Sequence, residues 1–335
     1  LAETVDGVDA AELPYTFELA PWPRWNLETR DGGTLSREIV MPRRRAAVLV
    51  RYALTEDAER PVRITLRPQL TFRDADKITI HNDVLSPDAW EFERGIRVRP
   101  YDSLPEMTIT LSGAAWRYEP APAWNHGIEY ATDLARGFEG REDHFCPGAF
   151  EVVLAPGAAL VVTAYIGREI PRPERLWKAE TGRRTDDAAE LGSEDELWAR
   201  LARSADDFLY RAEDGRAGVI AGFPWFGEWG RDTFIALPGL TLARGDLAGC
   251  ADVLAGALPY LNDGLLPNIY GTGIEDSHYG SVDAALWFAR AVLLYERAGG
   301  RKQRIRREFL PALKEIEARY RAGIPELDVF VDEDG

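Results

Sequence analysis

Residues 222–234 read GFPWFGEWGRDTF and place two tryptophans, two carboxylates and an arginine within thirteen positions. Aromatic rings stack on the weakly apolar faces of a sugar, and carboxylate and guanidinium groups supply fixed hydrogen bonds to its hydroxyls. Arg231 and Asp232 are the most specific part of this pattern. If they are held in a pocket, the two would stay ionised and fix each other's orientation, which presents a rigid set of donors and acceptors. The stretch therefore predicts a carbohydrate site.

Downstream of this stretch the apolar residues recur at helical spacing. Asp246 is a predicted N-cap, because a short polar side chain there accepts a hydrogen bond from the first helical turn. The apolar positions that follow it at helical spacing are Leu247, Cys250, Ala251, Leu254 and Leu258. We predict further helices beginning near Ser281 and Ile305, with long loops over residues 217–239 and 262–281. Loops of this length in a compact helical domain are usually functional.

Upstream of residue 170 the pattern changes to the two-residue period of β-strands. Apolar runs cover residues 47–52, 62–66, 107–111, 150–154 and 160–165. Gly, Pro and Asp residues separate these runs, which favours an antiparallel sandwich.

The predicted fold is therefore multidomain, β then α. We expect an antiparallel β-sandwich over residues 1–170, with its start missing, and a solvated linker over residues 171–190. Residues 191–335 are the predicted helical domain.

Composition excludes several classes of partner. The chain has 335 residues, of which 45% are hydrophobic, and a formal charge of −16, so nucleic acids and anionic membranes would be repelled. Only Cys146 and Cys250 are present, and this cysteine content suits a reducing cytoplasm. The first residues have no signal-peptide pattern, and no apolar run approaches the roughly 20 residues of a membrane helix. We therefore expect a cytoplasmic protein.

Five stretches carry a family resemblance. They are GFPWFGEWGRDTFIALPGLTLARG at 222–245, DGLLPNIYG at 263–271, YGSVDAALWFARAVLLYER at 279–297, LSREIVMPRRRAAVLVRYAL at 35–54 and LRPQLTFRD at 66–74. The first three resemble the catalytic domain of prokaryotic-type glycogen debranching enzymes, the amylo-alpha-1,6-glucosidase family. The other two resemble the N-terminal β domain of that family, so the similarity spans nearly the whole chain.

The resemblance implies that the helices are the first part of an (α/α)6 barrel. The chain does not begin with Met and ends at Asp334-Gly335, so we expect a fragment whose barrel is incomplete. The missing C-terminal part of the barrel would then be a partner of this chain.

The resemblance also implies hydrolysis, with inversion, of α-1,6-linked glucose stubs on glycogen or branched dextrin. Inversion needs two carboxyl groups about 6.5–9.5 Å apart, one to protonate the leaving oxygen and one to activate water. Asp283, within YGSVDAALWF, matches the position of the acid. The general base would lie beyond Gly335, and the isolated chain would be inactive. No cofactor and no metal are expected.

Asp283 has a structural explanation as well. With Ser281 as N-cap, Asp283 would stand in the first helical turn, where a carboxylate interacts favourably with the helix dipole. The same position would lower its pKa, whereas a general acid needs a raised pKa. The sequence leaves both interpretations open.

The remaining candidates for sugar contact also have alternatives. The resemblance implies that Arg231 and Asp232 grip the terminal glucose, and the alternative is an ion pair that braces a loop. Glu228 is interpreted as a sugar ligand, a partner of Arg231 or a solvent-facing residue. Trp229 is the predicted stacking platform, whereas Trp287 is assigned to the core.

Three weaker candidates lie in the same two loops. Trp225 and Tyr279 either line the pocket or anchor a loop. Asn268 either bonds a sugar hydroxyl or serves the backbone of a turn.

Two classes of function remain open at this point. The first is a glycoside hydrolase, either a debranching enzyme or a glucosidase of the glucoamylase or trehalase type on the same barrel. The second is a non-catalytic module that binds glucan.

Overall fold

The chain forms two compact units, Leu1–Asp187 and Ala188–Gly335. The computed structural model describes residues 1–30, 32–43, 45–74, 77–167, 172–190, 196–212, 214–223, 225–330 and 332. Among the described residues, no helix is both long enough and apolar enough to cross a membrane.

The N-terminal unit is built from two antiparallel sheets. The first sheet has the strand order β11-β12-β7-β1-β2, with β1 Ala2–Val5, β2 Val8–Asp9, β7 Val62–Arg67, β11 Ala115–Glu129 and β12 Arg141–Leu154. The second has the order β3-β4-β5-β6-β13-β10-β9-β8, with β3 Tyr15–Glu18, β4 Arg24–Glu28, β5 Thr34–Val40, β6 Ala47–Leu54, β8 Ala89–Phe92, β9 Gly95–Val98, β10 Met107–Ser112 and β13 Ala159–Ile166. A short helix, α1, covers Ala131–Ala135.

The two sheets share one apolar core. In the first sheet, Ile64 of β7 stands in register with Val5 of β1 and Val152 of β12. These three side chains are buried in the same cluster as residues of the second sheet that include Leu35, Tyr52, Ile96, Ile109 and Leu160. Because alternate residues of a strand point to one face, the two-residue period forms this core. The predicted antiparallel sandwich is confirmed.

The segment predicted to be a linker is instead a helix, α2, over Pro173–Glu190. Leu176 and Trp177 pack against the buried side chains of Val40, Leu49 and Val161 on the second sheet. The prediction of a solvated connection over residues 171–190 is therefore corrected. Its charged composition reflects the exposed side of a helix whose few apolar residues cover the sheet.

The C-terminal unit is mainly helical. Its helices are α3 Glu196–Phe208, α4 Gly230–Leu240, α5 Leu247–Ala257, α6 Ala284–Arg297, α7 Lys302–Arg304 and α8 Leu310–Ala322, with a π-turn at Ile305–Phe309 between the last two. A small hairpin joins α3 to the loop before α4 and consists of β14 Leu209–Arg211 and β15 Ala217–Val219. Short 3-10 turns of this unit cover Leu242–Arg244, Leu258–Tyr260 and Pro325–Leu327, and the N-terminal unit has one at Ala10–Glu12.

Aromatic side chains join the helices of this unit. Phe234 of α4 meets Phe288 of α6 edge to face, with ring centroids 5.3 Å apart. Phe309 packs in the same way on Phe288 and on Tyr295. The helical core is therefore organised around α4 and α6, which pack against each other. Closure of these helices into a barrel stays a prediction.

Two predicted boundaries need correction, and one predicted cap is confirmed. The loop predicted over residues 217–239 contains α4, which begins at Gly230 because Phe234 and Leu237 are buried at helical spacing. Helix α6 begins at Ala284 rather than near Ser281. The Oδ1 atom of Asp246 accepts a hydrogen bond from the backbone N–H of Gly249 at 2.8 Å, as predicted for an N-cap.

Candidate functional site

The candidate site lies where the N-terminal ends of α4 and α6 approach each other. The backbone N–H of Gly230, the first residue of α4, donates to the carbonyl of Asn268 at 3.0 Å. A Cβ atom at position 230 would lie 2.1 Å from the carbonyl oxygen of Pro267 and 3.2 Å from the Cβ atom of Ala284. Glycine is therefore required for this close approach, which brings the next residue, Arg231, toward α6.

Arg231 and Asp283 form a fork-shaped ion pair. The Nε atom of Arg231 is 2.7 Å from Oδ2 of Asp283, and its Nη2 atom is 3.1 Å from Oδ1. Two parallel bonds of this kind fix both the distance and the orientation of the two groups. About half of the Arg231 side chain and a third of the Asp283 side chain stay exposed, so a ligand has access to both.

Two further side chains donate to the Asp283 carboxylate. The hydroxyl of Ser281 donates to Oδ1 at 2.5 Å, and the indole N–H of Trp287 donates to Oδ2 at 3.2 Å. Asp283 itself occupies the N-cap position of α6, but its side chain makes no capping bond. The expectation that Ser281 caps the helix is corrected, because its hydroxyl bonds the carboxylate and not the backbone of the first turn.

The surroundings of Asp283 favour its ionised form. Burial acts to raise the pKa of this carboxyl group, but the hydrogen bonds from Arg231, Ser281 and Trp287 outweigh burial and hold the pKa below its ordinary value. A general acid must carry a proton, so Arg231 works against that role while the fork is intact. The pKa of Asp283 is thus lowered, which is the direction expected from the helix dipole, but side-chain hydrogen bonds and the charge of Arg231 lower it.

The hydrogen bonds and charge of Asp283, and also the charge of Asp232, raise the pKa of Arg231, so Asp232 is an electrostatic neighbour of Arg231 and not its hydrogen-bond partner. Both residues are exposed in the first turn of α4, and the Arg231 guanidinium donates two hydrogen bonds to Asp283. Adjacent residues on a helix point about 100° apart, so their side chains do not face each other. Asp232 therefore presents its carboxylate to solvent beside the fork.

Glu228 lies in a different environment from the one predicted. Its Oε2 atom accepts from Arg216 and from the hydroxyl of Tyr210, each at 2.6 Å, and the residue is 8% exposed. Its charge partner is therefore Arg216, and the interpretations of Glu228 as a partner of Arg231 or a solvent-facing residue are corrected. Its assignment as a sugar ligand stays a prediction that this burial does not favour.

The first loop also contains the two tryptophans that were predicted to contact the sugar. Trp229 immediately precedes α4, is partly buried and meets Phe226 edge to face, with ring centroids 5.9 Å apart. Trp225 is also partly buried in this loop. The position of Trp229, two residues before Arg231, is compatible with the predicted stacking platform.

The second loop contributes Asn268 and Tyr279. The Oδ1 atom of Asn268 is buried and has no hydrogen-bond partner among the described residues. The backbone of Asn268 is bonded to both Gly230 and His278, so the residue also serves the loop itself. The hydroxyl of Tyr279 donates to the carbonyl of Tyr260 at 2.8 Å, which is the loop-anchoring alternative.

Three residues of the site were not predicted from the sequence as members of it. Trp287 packs against the helical core, as predicted, and its indole N–H also donates to Asp283, for which the four-residue spacing on α6 was the available signal. Ser281 was read only as a cap. Tyr320 of α8 donates to the carbonyl of Val282; burial, and then the charge of Asp283, raise the pKa of this phenol to about 12. No sequence signal connects Tyr320 to α6.

One groove of the C-terminal unit is lined by other residues. It has a volume of about 540 Å³, and its lining includes Arg211, Arg216, Asp252, Tyr260 and Ile274. None of the eight residues predicted to contact or transform substrate lines this groove. Among the described residues there is also no group of three or more His, Cys, Asp or Glu side chains that could hold a metal ion.

Comparison with protein families covers both units. The family described as "Glycogen debranching enzyme N terminal" matches residues 9–161, and the family described as "Amylo-alpha-1,6-glucosidase" matches residues 203–335. The chain belongs to the glycogen debranching enzyme family. In this debranching-enzyme family member, the fork of Arg231 and Asp283 lies within the segment that matches the glucosidase description.

Solved structures resemble the chain only distantly. A bacterial glucoamylase complexed with acarbose is 11% identical, with 93% of this chain and 51% of that chain covered and a TM-score of 0.47. A human-microbiome protein assigned as a kojibiose phosphorylase is 7% identical, with 95% and 48% covered and a TM-score of 0.49. A GH92 alpha-mannosidase from Bacteroides thetaiotaomicron is 10% identical, with 91% and 52% covered and a TM-score of 0.34. This chain spans about half the length of these structures.

Proposed function

We propose that this chain is part of a glycoside hydrolase that removes α-1,6-linked glucose stubs from glycogen or limit dextrin. The observation that carries the proposal is the fork between Arg231 and Asp283 at the paired helix ends, within the segment that matches the amylo-alpha-1,6-glucosidase family. The fork is accessible and presents donors and acceptors in fixed positions. Such an arrangement suits the hydroxyls of one terminal glucose.

Four residues of the site have direct roles in this proposal. Arg231 and Asp232 bind hydroxyls of the terminal glucose, and Trp229 stacks on its face. Asp283 is the general acid, and it gains its proton once Arg231 turns its hydrogen bonds to the sugar. The pKa of this carboxyl group then rises from its lowered value, because burial acts to raise it and only the hydrogen bonds from Ser281 and Trp287 still oppose burial.

The proposed mechanism inverts the anomeric carbon. Asp283 protonates the departing glycosidic oxygen while a second carboxylate takes a proton from a water molecule on the opposite face of the sugar. The water oxygen bonds to the anomeric carbon as the bond to the leaving oxygen breaks. We propose that the second carboxylate belongs to a part of the protein outside this chain, which would leave the isolated chain inactive.

The proposed compartment is the cytoplasm. Cys146 and Cys250 are both free and buried, which is compatible with a reducing environment. The proposed partner is a neutral glucan. The chain carries a formal charge of −16, which repels anionic polymers but not an uncharged polysaccharide.

The test uses the full-length gene product and a phosphorylase limit dextrin. We expect release of free glucose, first as the β-anomer in NMR spectra recorded during the reaction. The variant Asp283→Asn should reduce the rate by at least about a hundredfold, and Asp276→Asn in the neighbouring loop serves as the control. Release of glucose only from maltose or trehalose would assign the site to another glucosidase. Binding of glucan without any hydrolysis would leave a non-catalytic module.

A further inference from the structure

Arg216 and Glu228 form a second ion pair next to the candidate site, and it is more buried than the fork. The Nη1 atom of Arg216 lies 2.6 Å from Oε2 of Glu228, and the two side chains are 11% and 6% exposed. The Nη2 atom of Arg216 donates to the hydroxyl of Tyr210 at 2.8 Å, and that hydroxyl donates to Glu228. The three groups therefore close a triangle of hydrogen bonds.

The Arg216 guanidinium is surrounded by tyrosine rings. It lies 5.0 Å from the ring centre of Tyr260, 5.5 Å from that of Tyr270 and 5.8 Å from that of Tyr210. Burial acts to lower the pKa of Arg216, but the Glu228 charge outweighs burial and raises it. Arg216 therefore stays charged, and its contacts tie the small hairpin to both loops.

Glu228 is connected to the Arg231–Asp283 fork through the backbone of residues 228–230. Its carbonyl accepts from the N–H of Tyr270 at 3.1 Å, and the next residue, Trp229, pairs with Ile269. The N–H of Gly230 then bonds Asn268. Residues 228–230 are thus held on one side by a buried side chain and on the other by the loop, directly before Arg231.

The hairpin backbone also packs closely against the Glu228 side of the pair. A Cβ atom at Gly218 of β15 would lie 2.7 Å from Oε1 of Glu228 and 2.6 Å from Cε1 of Tyr210. The hairpin backbone therefore approaches the carboxylate at a distance that only glycine permits. A buried ion pair is weak evidence of stabilisation, because desolvation offsets its attraction, so a role in fixing one geometry is the better account of it.

We propose that Arg216 and Glu228 are positioning residues that hold the Arg231 guanidinium in place, on Asp283 in the free protein and on the terminal glucose during the reaction. Neither of them contacts the sugar. They act through the backbone of Trp229 and Gly230, which leads into the first turn of α4. This inference rests on the proposed function for its catalytic consequences, but its structural consequence is measurable without any activity.

The first experiment measures the pKa of Asp283 by an NMR titration of its carboxyl carbon in the full-length protein. The double variant Arg216→Met with Glu228→Gln removes both charges and leaves no buried charge unpaired. We expect the pKa of Asp283 to rise toward its ordinary value, because a displaced Arg231 no longer bonds it. The matched control is Arg244→Met with Asp206→Asn, since that pair has a distance of 2.7 Å and side chains 16% and 19% exposed in the same unit.

The second measurement is kinetic, on limit dextrin. The double variant should lose at least about tenfold in kcat/KM, because displacements on the order of 1 Å cost up to about a hundredfold. The affinity for 1-deoxynojirimycin, a monosaccharide mimic, should fall with it. The control pair should lower the melting temperature to a similar degree but leave kcat/KM within about twofold of wild type.

A conservative variant separates positioning from folding. Arg216→Lys keeps the positive charge but loses the planar guanidinium group, so the variant should fold. Its Asp283 pKa and its kcat/KM should lie between those of wild type and the double variant. An unchanged pKa of Asp283 in both variants would overturn the inference, as would kinetic losses equal to those of the control pair. If wild type releases no glucose, the proposed function fails, and the NMR titration alone decides the positioning role.

Discussion

The Nε atom of Arg231 lies 2.7 Å from Oδ2 of Asp283, and its Nη2 atom lies 3.1 Å from Oδ1, although 52 residues separate the two in the sequence. This fork joins the first turn of α4 to the N-cap of α6. In this fork, Arg231 donates hydrogen bonds to both oxygens of the carboxylate that is proposed to protonate the leaving group. The arginine therefore controls how readily Asp283 takes up a proton, and the pH dependence of the enzyme should report it.

Replacing Arg231 should shift the pH profile of the full-length enzyme. A general acid is active below its pKa, so the basic limb of the profile of kcat/KM follows the pKa of free Asp283. Arg231→Met removes two hydrogen bonds that lower this pKa, and we expect the basic limb to move to higher pH together with a lower maximal rate. Arg297→Met, at the far end of α6, is the control. A basic limb that stays in place would reassign Asp283 as a sugar ligand.

Alanine at Gly230 should destabilise the protein although alanine favours helices. The new Cβ atom would lie 2.1 Å from the carbonyl oxygen of Pro267, so the loop or the helix end must shift. We expect a loss of about 1–3 kcal/mol in urea unfolding. Gly239, in the same helix, meets no described atom within 4 Å, and Gly239→Ala should instead stabilise by about 0.5–1 kcal/mol. Equal effects of the two variants would contradict the close approach.

Removing the Glu142 charge should destabilise the β-sandwich. Burial acts to raise the pKa of Glu142, but hydrogen bonds from Arg73, Tyr130 and the backbone N–H of Thr79 lower it from 4.5 to about 2. A carboxyl group with a lowered pKa stabilises the fold above its unfolded pKa, and this contribution is lost as pH falls toward about 2. The difference corresponds to about 3 kcal/mol at pH 7.

The corresponding measurement compares Glu142→Gln with wild type in urea at pH 7 and at pH 3. The variant should be less stable by about 3 kcal/mol at pH 7, with a smaller deficit at pH 3. Glu129→Gln breaks a solvent-exposed pair with Arg141 and should cost less than about 1 kcal/mol at either pH. A deficit that does not change with pH would show that Glu142 is not the titrating group.

Truncating Trp177 should loosen the N-terminal unit, because α2 packs on the sheet and is not a free linker. Trp177 meets Trp22 edge to face, with ring centroids 6.4 Å apart. We expect Trp177→Ala to cost about 2 kcal/mol and to expose residues 173–190 to limited proteolysis. Lys178→Ala, on the exposed side of α2, is the matched control. Rapid cleavage of the wild-type segment would restore the linker interpretation.

The sequence by itself determined the elements whose signals are local. The alternation around residues 62–66 and 160–165 predicted strands that the structure contains, because the period of a strand is written in consecutive residues. The cap at Asp246 was predictable for the same reason, since its partner, Gly249, lies three residues away. Family motifs directed attention to Arg231 and Asp283 as single residues.

Only the tertiary structure decided which groups meet. Arg231 pairs with distant Asp283 and not with adjacent Asp232, because helix geometry turns neighbours apart while the packing of α4 on α6 brings the two helix ends together. Glu228 is buried against Arg216 because a hairpin with Gly218 folds over it. Such pairings depend on long-range packing, which a residue pattern along the chain does not encode. The pKa of Asp283, and with it the chemistry proposed here, follows from those contacts.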